Sequence, residues 1–425
     1  MLHIKQIREN YDKVIFGLAK RKINAEPIIN EVLTTDDIRK TTQNNLDNIQ
    51  AELNTISKSI GKLMQEGKKD EVEQAKNRTA ELKEKIKQLS DKLSETETDL
   101  TKLLTQIPNV PHESVPVGHS AEDNIIIRSG GQIRPLGSNA VPHWELAQKY
   151  DIIDFELGVK ITGAGFPVYK GQGAKLQRAL INFFLDEANL KGFTEVQPPI
   201  VINEDSGFGT GQLPDKEGLM YHITEENLFL VPTAEVPLTN IYRDVILEVK
   251  GLPVKITAYT PCFRREAGSY GKDVRGLNRL HQFDKVEIVC ISKPEESYKI
   301  LEEMVNYVET LVQKLELPYR IIKLCGGDMG FCSALSYDFE VWSAAQERWL
   351  EVSSVSNFES FQSNRLKLRY KDPETKKTVL AHTLNGSALA LPRIVAALLE
   401  NNQTEKGIKI PEILKKYTGF EMINT

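Results

Sequence analysis

Apolar side chains recur every three or four residues along two consecutive segments near the start of the chain. They run from Leu46 to Leu63 in the first segment and from Val72 to Ile107 in the second, with Gly67 between them. Alternating steps of three and four form a heptad pattern, which places one narrow apolar stripe along a helix. The pattern predicts an antiparallel coiled-coil hairpin over residues 36–107, with helices roughly 45–55 Å long at 1.5 Å rise per residue.

Residues typical of helix ends bound this hairpin. Thr35, Asp36 and Asp37 suit the start of the first helix, and Pro108 ends the second. Such a hairpin buries little of its own surface, so most of it faces solvent or a partner. Its distal half, residues 58–92, holds ten Lys or Arg and seven Asp or Glu. This slight basic excess is compatible with a phosphate-backbone contact and equally with a dimerisation or spacer arm.

After residue 140 the pattern changes to short β-branched or aromatic runs separated by long loops and by two helical segments, 174–190 and 294–315. Strands that are not joined by regular crossover helices indicate an α+β fold with a mostly antiparallel sheet. The sequence therefore predicts an N-terminal helical arm over residues 1–110, a linker over 111–140 and a catalytic domain over 141–425. The strand-like runs are 196–202, 228–232, 255–259, 283–291 and 320–324.

Composition narrows the class of protein. A chain of 425 residues with 27% charged side chains and a net charge of −5 is typical of a globular protein and unlike a general nucleic-acid binder. The N-terminus has no signal-peptide pattern, and no uninterrupted apolar run is long enough to cross a membrane. The four cysteines form no Cys-x-x-Cys pair, which favours reduced, buried thiols in a cytoplasmic protein, with a structural zinc site as the alternative.

Two segments carry candidate chemistry. In Thr260-Pro-Cys-Phe-Arg-Arg-Glu266, strand alternation would place Arg264 and Glu266 on one face, next to a segment rich in Gly and Arg. An Arg can hold a phosphate through its planar fork, although an Arg and a Glu spaced in this way also form surface ion pairs. In the second segment, Arg393 follows Pro392 at the start of an apolar helix, where it needs either an acidic partner or an anionic ligand.

These segments resemble motifs 2 and 3 of class II aminoacyl-tRNA synthetases, and Lys191-Gly-Phe-Thr-Glu-Val-Gln-Pro-Pro199 resembles motif 1. Further segments resemble the seryl-tRNA synthetase family in particular, over essentially the whole chain. They are Thr210–Pro214, Pro232–Thr239, Gly327–Gly330, Tyr337–Trp342, Glu351–Ser354 and His382–Ser387.

The resemblance assigns roles to individual residues. It implies that Arg264, Glu266 and Arg393 are catalytic. The implied serine-binding residues are Thr233, Ala234, Glu235, Arg264, Glu287, Asn385 and Ser387, and the implied ATP-binding residues are Arg264, Arg265, Glu266, Phe283, Glu351, Val352, Ser353, Ser354 and Arg393. Glu351 and Ser354 are implied ligands of Mg²⁺. Because strict alternation would put Glu351 on a face with Ser353, this pair requires a bulge in its strand.

The implied activity is serine–tRNA ligation with ATP as a substrate. The partners are tRNA(Ser), contacted by the helical arm, and a second copy of the chain in a homodimer; a cell that makes tRNA(Sec) would offer a second tRNA. A class II paralogue that activates an amino acid for another acceptor and a coiled-coil scaffold with an inactive domain are the alternatives. Gly327, Leu335 and Lys416 depart from residues common in the family, but none of them is an assigned site residue.

Overall fold

The computed structural model describes residues 1–136, 140–266 and 275–424. These residues divide into two compact units. Leu2–Ala19 and Ile23–Pro108 form a helical unit, and Asn109–Thr425 form the second unit together with Met1 and Lys20–Lys22. Each unit is described by itself below.

The helical unit contains the predicted hairpin. Its helices are α1 (Ile4–Glu9), α2 (Tyr11–Ala19), α3 (Glu26–Gln65) and α4 (Lys69–Gln106). The turn lies at Gly67, whose φ of 73° is a left-handed conformation that suits glycine. The first long helix begins at Glu26, ten residues before the predicted start, with Pro27 in its first turn.

The heptad stripe forms the interface between α3 and α4, as predicted. Leu46, Val72, Leu82, Leu100 and Ile107 are buried, and the other apolar residues of the stripe are half-buried. Away from the stripe, Arg78 of α4 donates two hydrogen bonds to Glu52 of α3, with distances of 2.7 and 2.9 Å. Glu52 and Arg78 thus define which levels of the two helices face each other.

Asp36 does not cap a helix, as the sequence had suggested, but lies inside α3 with its side chain only 1% exposed. Its carboxylate accepts hydrogen bonds from Arg8 of α1 at 2.8 Å and from Arg39 at 2.8 Å, and pairs with Lys40 at 2.9 Å. Burial alone would raise the pKa of Asp36, but hydrogen bonds from Lys40, Arg39 and Arg8 lower it to about 2. Asp36 therefore joins α1 to α3 as an ionised group.

The second unit has the predicted α+β architecture. Its helices are α5 (His143–Lys149), α6 (Phe155–Ile161), α7 (Gly171–Leu190), α8 (Glu204–Thr210), α9 (Glu235–Asn240), α10 (Ser297–Lys314), α11 (Phe361–Leu366), α12 (Leu391–Asn401) and α13 (Glu412–Thr418). Its strands are β1 (Ile125–Gly130), β2 (Ile153–Asp154), β3 (Val168–Tyr169), β4 (Thr194–Glu195), β5 (Val201–Asn203), β6 (His222–Ile223), β7 (Leu228–Leu230), β8 (Ile246–Glu248), β9 (Val254–Phe263), β10 (Gln282–Ser292), β11 (Tyr319–Lys323), β12 (Leu335–Ser343), β13 (Arg348–Glu359), β14 (Arg369–Lys371), β15 (Thr378–Leu380), β16 (His382–Ala390), β17 (Gln403–Thr404), β18 (Gly407–Lys409) and β19 (Met422–Ile423).

An eight-stranded sheet organises this unit, with the strand order β1-β11-β12-β13-β16-β10-β9-β4 among the described residues. Its strands pair antiparallel except β4, which runs parallel to β9. Strand β1 lies within the segment predicted as a linker, so part of that segment belongs to the sheet; residues 137–139 of the same segment lie outside the described part of the chain. No described helix combines the length and apolar character needed to cross a membrane.

Strand β10 shows how the sheet separates core from site. Val286, Ile288 and Cys290 join the large apolar core that also contains Phe183 of α7 and Leu391 of α12. Successive residues of a strand point to opposite faces, so Lys285 and Glu287 point away from that core. The register aligns Glu287 with Ser387 of β16 and with Ala258 of β9. The middle of the sheet thus carries a polar face on β10 and β16, next to Ala258 of β9.

Candidate active site

The buried carboxylate of Glu287 is the centre of this polar face. Its side chain has no exposed surface. One oxygen accepts a hydrogen bond from Asn385 Nδ2 at 2.9 Å, and the other accepts from the hydroxyls of Thr233 at 3.2 Å and Ser387 at 3.5 Å. The structure thus brings together four residues that the resemblance assigns to serine binding. Hydroxyl and amide groups gathered around one buried carboxylate form a site that discriminates by hydrogen bonding.

Lys285 completes this cluster. Its ammonium lies 2.8 Å from Glu287 Oε2, and its side chain is 7% exposed. A buried carboxylate is stable as an anion only when it is paired and hydrogen-bonded, and Lys285 provides that charge. Lys285 was not among the predicted site residues, although its spacing of two from Glu287 on a strand places both side chains on one face.

Glu235 supplies a second buried acid beside the first. It begins α9, directly after Thr233 and Ala234, and its Oε1 accepts a hydrogen bond from Gln362 Nε2 at 2.6 Å. Gln362 in turn accepts from Thr383 Oγ1 at 2.7 Å. Burial, followed by the negative charge of Glu287, raises the pKa of Glu235 to about 7. Two neighbouring carboxylates thus differ in environment, since only Glu287 has a lysine within ion-pair distance among the described residues.

Arg264 lies at the edge of the same cluster. It follows the last residue of β9, and its Nε donates to the carbonyl of Pro232 at 3.3 Å. Its guanidinium carbon lies 5.3 Å from the ring centroid of Phe283 on β10. Arg264 therefore fixes the backbone just before Thr233 and stacks on Phe283, which the resemblance assigns to ATP binding.

Glu266 is not held where strand alternation would place it. Strand β9 ends at Phe263, and Glu266 has a φ of 46°, so the segment after β9 is not extended. Its carboxylate pairs with Arg279 and lines a cavity of about 510 Å³ together with Trp144, Arg275 and His281. The prediction that Glu266 shares a face with Arg264 assumed that the strand continues to Glu266, and it does not. Residues 267–274, which follow it and were expected to complete a phosphate loop, lie outside the described residues.

Arg393 occupies the first turn of α12, as predicted, and is held by two backbone carbonyls. Its Nε donates to Asn278 O at 3.0 Å, and its Nη1 donates to Glu351 O at 2.8 Å. A guanidinium has five N–H donors in a planar fork, so these two contacts orient the group and leave donors for an anion. The sequence left open whether Arg393 has an acidic partner or an anionic ligand. The carboxylate of Glu351 lies 3.8 Å from its Nη1, which makes only a weak ion pair.

Strand β13 contains the bulge that the Glu351–Ser354 pair requires. Ser354 pairs with Asp338 of β12 and Ser353 with Phe339, but Glu351 pairs with Glu340, so Val352 is the extra residue. Paired residues of antiparallel strands project to the same face. The bulge therefore brings Glu351 and Ser354 to one face together with Asp338. Ser353 points elsewhere, because its hydroxyl donates to the carbonyl of Ser387 at 2.5 Å.

Asp338, Glu351 and Ser354 offer oxygen atoms of the kind that a hard divalent cation prefers. Within the described part of the chain, Asp338 Oδ1 is buried and has no hydrogen-bond partner. Burial, followed by the charge of Glu351, raises the pKa of Asp338 well above its ordinary range. A cation at this place would satisfy the unpartnered oxygen and offset the repulsion. The donor set therefore fits Mg²⁺, and Asp338 is an acid that the sequence reasoning missed.

Comparisons with known proteins identify the family of this chain. Residues 1–111 match the family model described as the seryl-tRNA synthetase N-terminal domain, and residues 221–402 match the class II tRNA synthetase core domain for Gly, His, Pro, Ser and Thr. The chain is 49% identical to the serine–tRNA ligase of Salinibacter ruber over 424 residues, which cover 100% of this chain and 99% of that protein. This chain belongs to the seryl-tRNA synthetase family.

Solved structures of the family show the same fold. The seryl-tRNA synthetase of Pyrococcus horikoshii, solved in complex with ATP, aligns with a TM-score of 0.91 at 36% identity over 100% of this chain and 99% of its own. The cytoplasmic serine–tRNA ligase of Naegleria fowleri, solved in complex with AMP, aligns with a TM-score of 0.86 at 25% identity over 100% and 99% of the two chains. The predicted fold class and family are thereby confirmed.

The predicted site residues differ in the contacts that hold them. Thr233, Asn385 and Ser387 each donate a hydrogen bond to Glu287, while Ala234 is buried in an apolar cluster. Arg265 is held through its backbone, whose N–H donates to Leu219 O at 2.9 Å. Gln362 was missed, and no pattern could have found it, because it is distant in sequence from the acid that it holds.

Proposed function

We propose that this chain is a serine–tRNA ligase that uses the Glu287 cluster to select serine. In the first step the carboxylate of serine attacks the α-phosphate of ATP, which forms seryl-adenylate and releases pyrophosphate. In the second step a hydroxyl of the 3′-terminal ribose of tRNA takes the seryl group and releases AMP. Neither step needs a covalent nucleophile from the protein, because such transfers depend mainly on positioning and charge neutralisation.

The observation that carries the proposal is the hydrogen bonding of Glu287. Its carboxylate is fully buried and is surrounded by the side chains of Thr233, Asn385 and Ser387. The hydroxyl of a bound serine would donate to this carboxylate, whereas alanine would leave buried polar groups without a partner. A site built to pair a hydroxyl rejects the analogue lacking it far better than an apolar pocket rejects an extra methylene.

Two arginines supply the positive charge for ATP. Arg264 lies beside the Thr233 segment and against Phe283, so it is placed to contact the serine carboxylate and the α-phosphate. Arg393 is oriented by the carbonyls of Asn278 and Glu351, which suits a fixed contact to the phosphate tail. Both groups are oriented by contacts within the protein, and such preorganised charge lowers the barrier without reorganisation.

We propose Asp338, Glu351 and Ser354 as the residues that would hold Mg²⁺. When bound, Mg²⁺ supplies charge neutralisation to the phosphates of ATP. The bulge at Val352 brings these three side chains to one face of the strand pair. Because Glu351 also accepts from Arg393 through its backbone carbonyl, the cation site and the arginine are anchored at the same residue.

The α3–α4 hairpin is the part of the chain that we propose contacts tRNA(Ser). Its distal half carries the excess of Lys and Arg, and the exposed sides of both helices are polar. Phosphate contacts by such side chains depend on charge and not on base identity. The family suggests in addition a homodimer, a cytoplasmic location, and charging of tRNA(Sec) in a cell that makes it.

Amino-acid-dependent ATP–pyrophosphate exchange tests the first step. Serine should support exchange, while alanine and glycine at equal concentration should give rates lower by about two orders of magnitude or more, because they lack the hydroxyl that the site pairs. Threonine keeps the hydroxyl, so its rate tests instead whether the pocket excludes an added methyl group. Exchange with a different amino acid would keep the fold and refute the assigned pocket. If the protein supports exchange and transfers the activated amino acid to a carrier protein but not to tRNA, the paralogue activity is favoured.

Shortening the hairpin tests the second step. Replacing residues 50–81 with a short Gly-Ser turn ends both helices at about the same level, because Glu52 on α3 pairs with Arg78 on α4. The shortened protein should keep serine-dependent exchange and lose most aminoacylation of tRNA(Ser). As a matched control, the full-length hairpin with Arg78→Lys should retain both activities. Unchanged tRNA charging by the shortened protein would show that tRNA is recognised elsewhere.

A further inference from the structure

A second buried polar cluster surrounds Glu400, on the opposite end of α12 from Arg393. Glu400 has no exposed surface, and its carboxylate accepts hydrogen bonds from several groups. They are the backbone N–H of His143 at 3.1 Å, the backbone N–H of Ala345 at 3.1 Å, Gln346 Nε2 at 3.1 Å, the hydroxyl of Ser343 and the imidazole of His143. None of these groups touches the Glu287 cluster in the described contacts, so the active site leaves this arrangement unexplained.

The partners of His143 define which ring nitrogen carries the proton. Its Nε2 accepts a hydrogen bond from the backbone N–H of Leu277 at 2.8 Å, so Nε2 is unprotonated. Its Nδ1 lies 2.7 Å from Glu400 Oε1 and therefore donates to that carboxylate. A carboxylate that fixes the tautomer of a histidine makes the other nitrogen a permanent acceptor. Glu400 thus holds His143 in the form that can bind the Leu277 N–H.

The backbone at Gly276 is shaped around this imidazole. Gly276 has a φ of 67°, and a Cβ at this position would lie 2.3 Å from His143 Nε2. Only glycine allows both the left-handed backbone and so close an approach. The chain therefore passes directly over the ring, which places the next N–H, that of Leu277, on Nε2.

The following residue connects this anchor to the proposed ATP site. Asn278 O accepts the hydrogen bond from Arg393 Nε at 3.0 Å. The side chain of Asn278 donates to Gln346 Oε1 at 2.9 Å, and Gln346 Nε2 donates to Glu400. Residue 278 is therefore held from both sides by the Glu400 cluster, through its backbone by way of Leu277 and through its side chain by way of Gln346.

We propose that His143 and Glu400 are positioning residues for ATP, which act by holding Leu277 and Asn278 so that the Asn278 carbonyl orients Arg393. The inference rests on the proposed role of Arg393 in the serine–tRNA ligase reaction. Neither residue touches a substrate. Their effect is on the angle and rigidity of a guanidinium, and misplacement of a charged contact by a fraction of an ångström is costly in rate.

Two substitutions at His143 separate its two hydrogen bonds. In His143→Gln the amide oxygen takes the place of Nε2 and still accepts from Leu277, but the bond to Glu400 is lost. In His143→Asn the amide nitrogen takes the place of Nδ1 and still donates to Glu400, but the acceptor for Leu277 is lost. Each variant removes one bond and part of the ring, so each is the control for the other in stability.

The measurement is serine-dependent ATP–pyrophosphate exchange with each substrate varied in turn, together with the melting temperature. His143→Asn should raise KM for ATP about tenfold, the effect of one lost positioning hydrogen bond, and leave KM for serine within about twofold. His143→Gln should stay within about threefold of the wild type for both substrates, because it keeps the acceptor for Leu277 and Glu400 still holds Asn278 through Gln346. The two melting temperatures should fall by similar amounts.

Two results would overturn the proposal. If His143→Asn binds ATP like the wild type, the Leu277 contact has no part in positioning. If both variants weaken ATP and serine binding alike and in proportion to their loss of melting temperature, the cluster has only a structural role. Calorimetric binding of a non-hydrolysable ATP analogue to the same variants needs no amino acid, so it decides the question even if the wild type shows no exchange with serine.

Discussion

Replacing Lys285 by Met should destabilise the catalytic unit, and a second change should restore its stability without restoring activity. The Lys285 ammonium lies 2.8 Å from Glu287 Oε2, and both side chains are buried. Met has a similar length and fills the same space without a charge. The single change leaves Glu287 as a buried anion without its cation, while Thr233, Asn385 and Ser387 still provide hydrogen bonds.

The expected size follows from these contacts. Removing one partner of a buried ion pair costs about 3–5 kcal/mol, and we take about 3 kcal/mol because three hydrogen-bond donors remain on Glu287. For a cooperative unit of roughly 320 residues, an unfolding entropy of about 2.1 cal/mol/K per residue converts this loss to about 4–5 °C in melting temperature. Lys285→Met combined with Glu287→Gln removes both charges and should recover most of that difference, because neutral replacement of a buried pair is often nearly neutral in stability.

The test is a double-mutant cycle of the wild type, Lys285→Met, Glu287→Gln and the double variant. Each protein is measured by differential scanning calorimetry and by serine-dependent exchange. The double variant should melt within about 2 °C of the wild type, roughly 1 kcal/mol on the same scale, yet fail to discriminate serine from alanine. If the double variant melts as low as Lys285→Met, the charge pair is not the source of the loss. Retained discrimination in the double variant would refute the role of Glu287.

Three further predictions concern other acids. Glu235, with its pKa raised to about 7, binds its proton more tightly in the folded state, so the wild type should lose stability between about pH 4.5 and pH 7. In urea denaturation, the free energy of unfolding of the wild type should therefore be about 2–3 kcal/mol lower at pH 8 than at pH 5, and Glu235→Gln should abolish this difference. Asp36→Asn should lower the stability of the helical unit by about 1–3 kcal/mol at neutral pH, followed by circular dichroism, because three cations lose their ionised partner. Asp338→Asn should weaken Mn²⁺ binding, measured by electron paramagnetic resonance, by about 10–100-fold if Asp338 contributes to the cation site, and equal binding would exclude it.

The helical hairpin could be predicted from the sequence because its packing is local and repetitive. In both helices the apolar residues of the stripe recur in alternating steps of three and four, so each position in the sequence indicates the helix face on which its side chain lies. The predicted start of α3 was wrong because it depends on contacts that are not local. Asp36 looks like a helix cap in sequence, but α3 already begins at Glu26, and the Arg8 side chain that pairs with the buried acid is far along the chain.

Within the site, the sequence indicated the geometry of residues that share a strand, and it did not indicate partners that are remote along the chain. The bulge at Val352 could be inferred because Glu351 and Ser354 needed a common face. The position of Glu266 could not, because β9 ends at Phe263 and Glu266 itself is left-handed, so the alternation on which the inference depended does not reach it. Gln362 and Glu400 hold other residues through contacts between distant parts of the chain, and a single sequence does not record which distant groups meet.

The geometry of the hairpin also limits how its length can evolve. Its two helices meet along a stripe that repeats every seven residues, and a residue inserted into one helix rotates everything beyond it by about 100°. One such insertion between Leu46 and Ile49 would turn the apolar stripe of the distal half outward and its lysines toward the partner helix. Lengthening is therefore tolerated in whole heptads added to both helices at matched levels, and homologous arms should differ in length in steps of about fourteen residues.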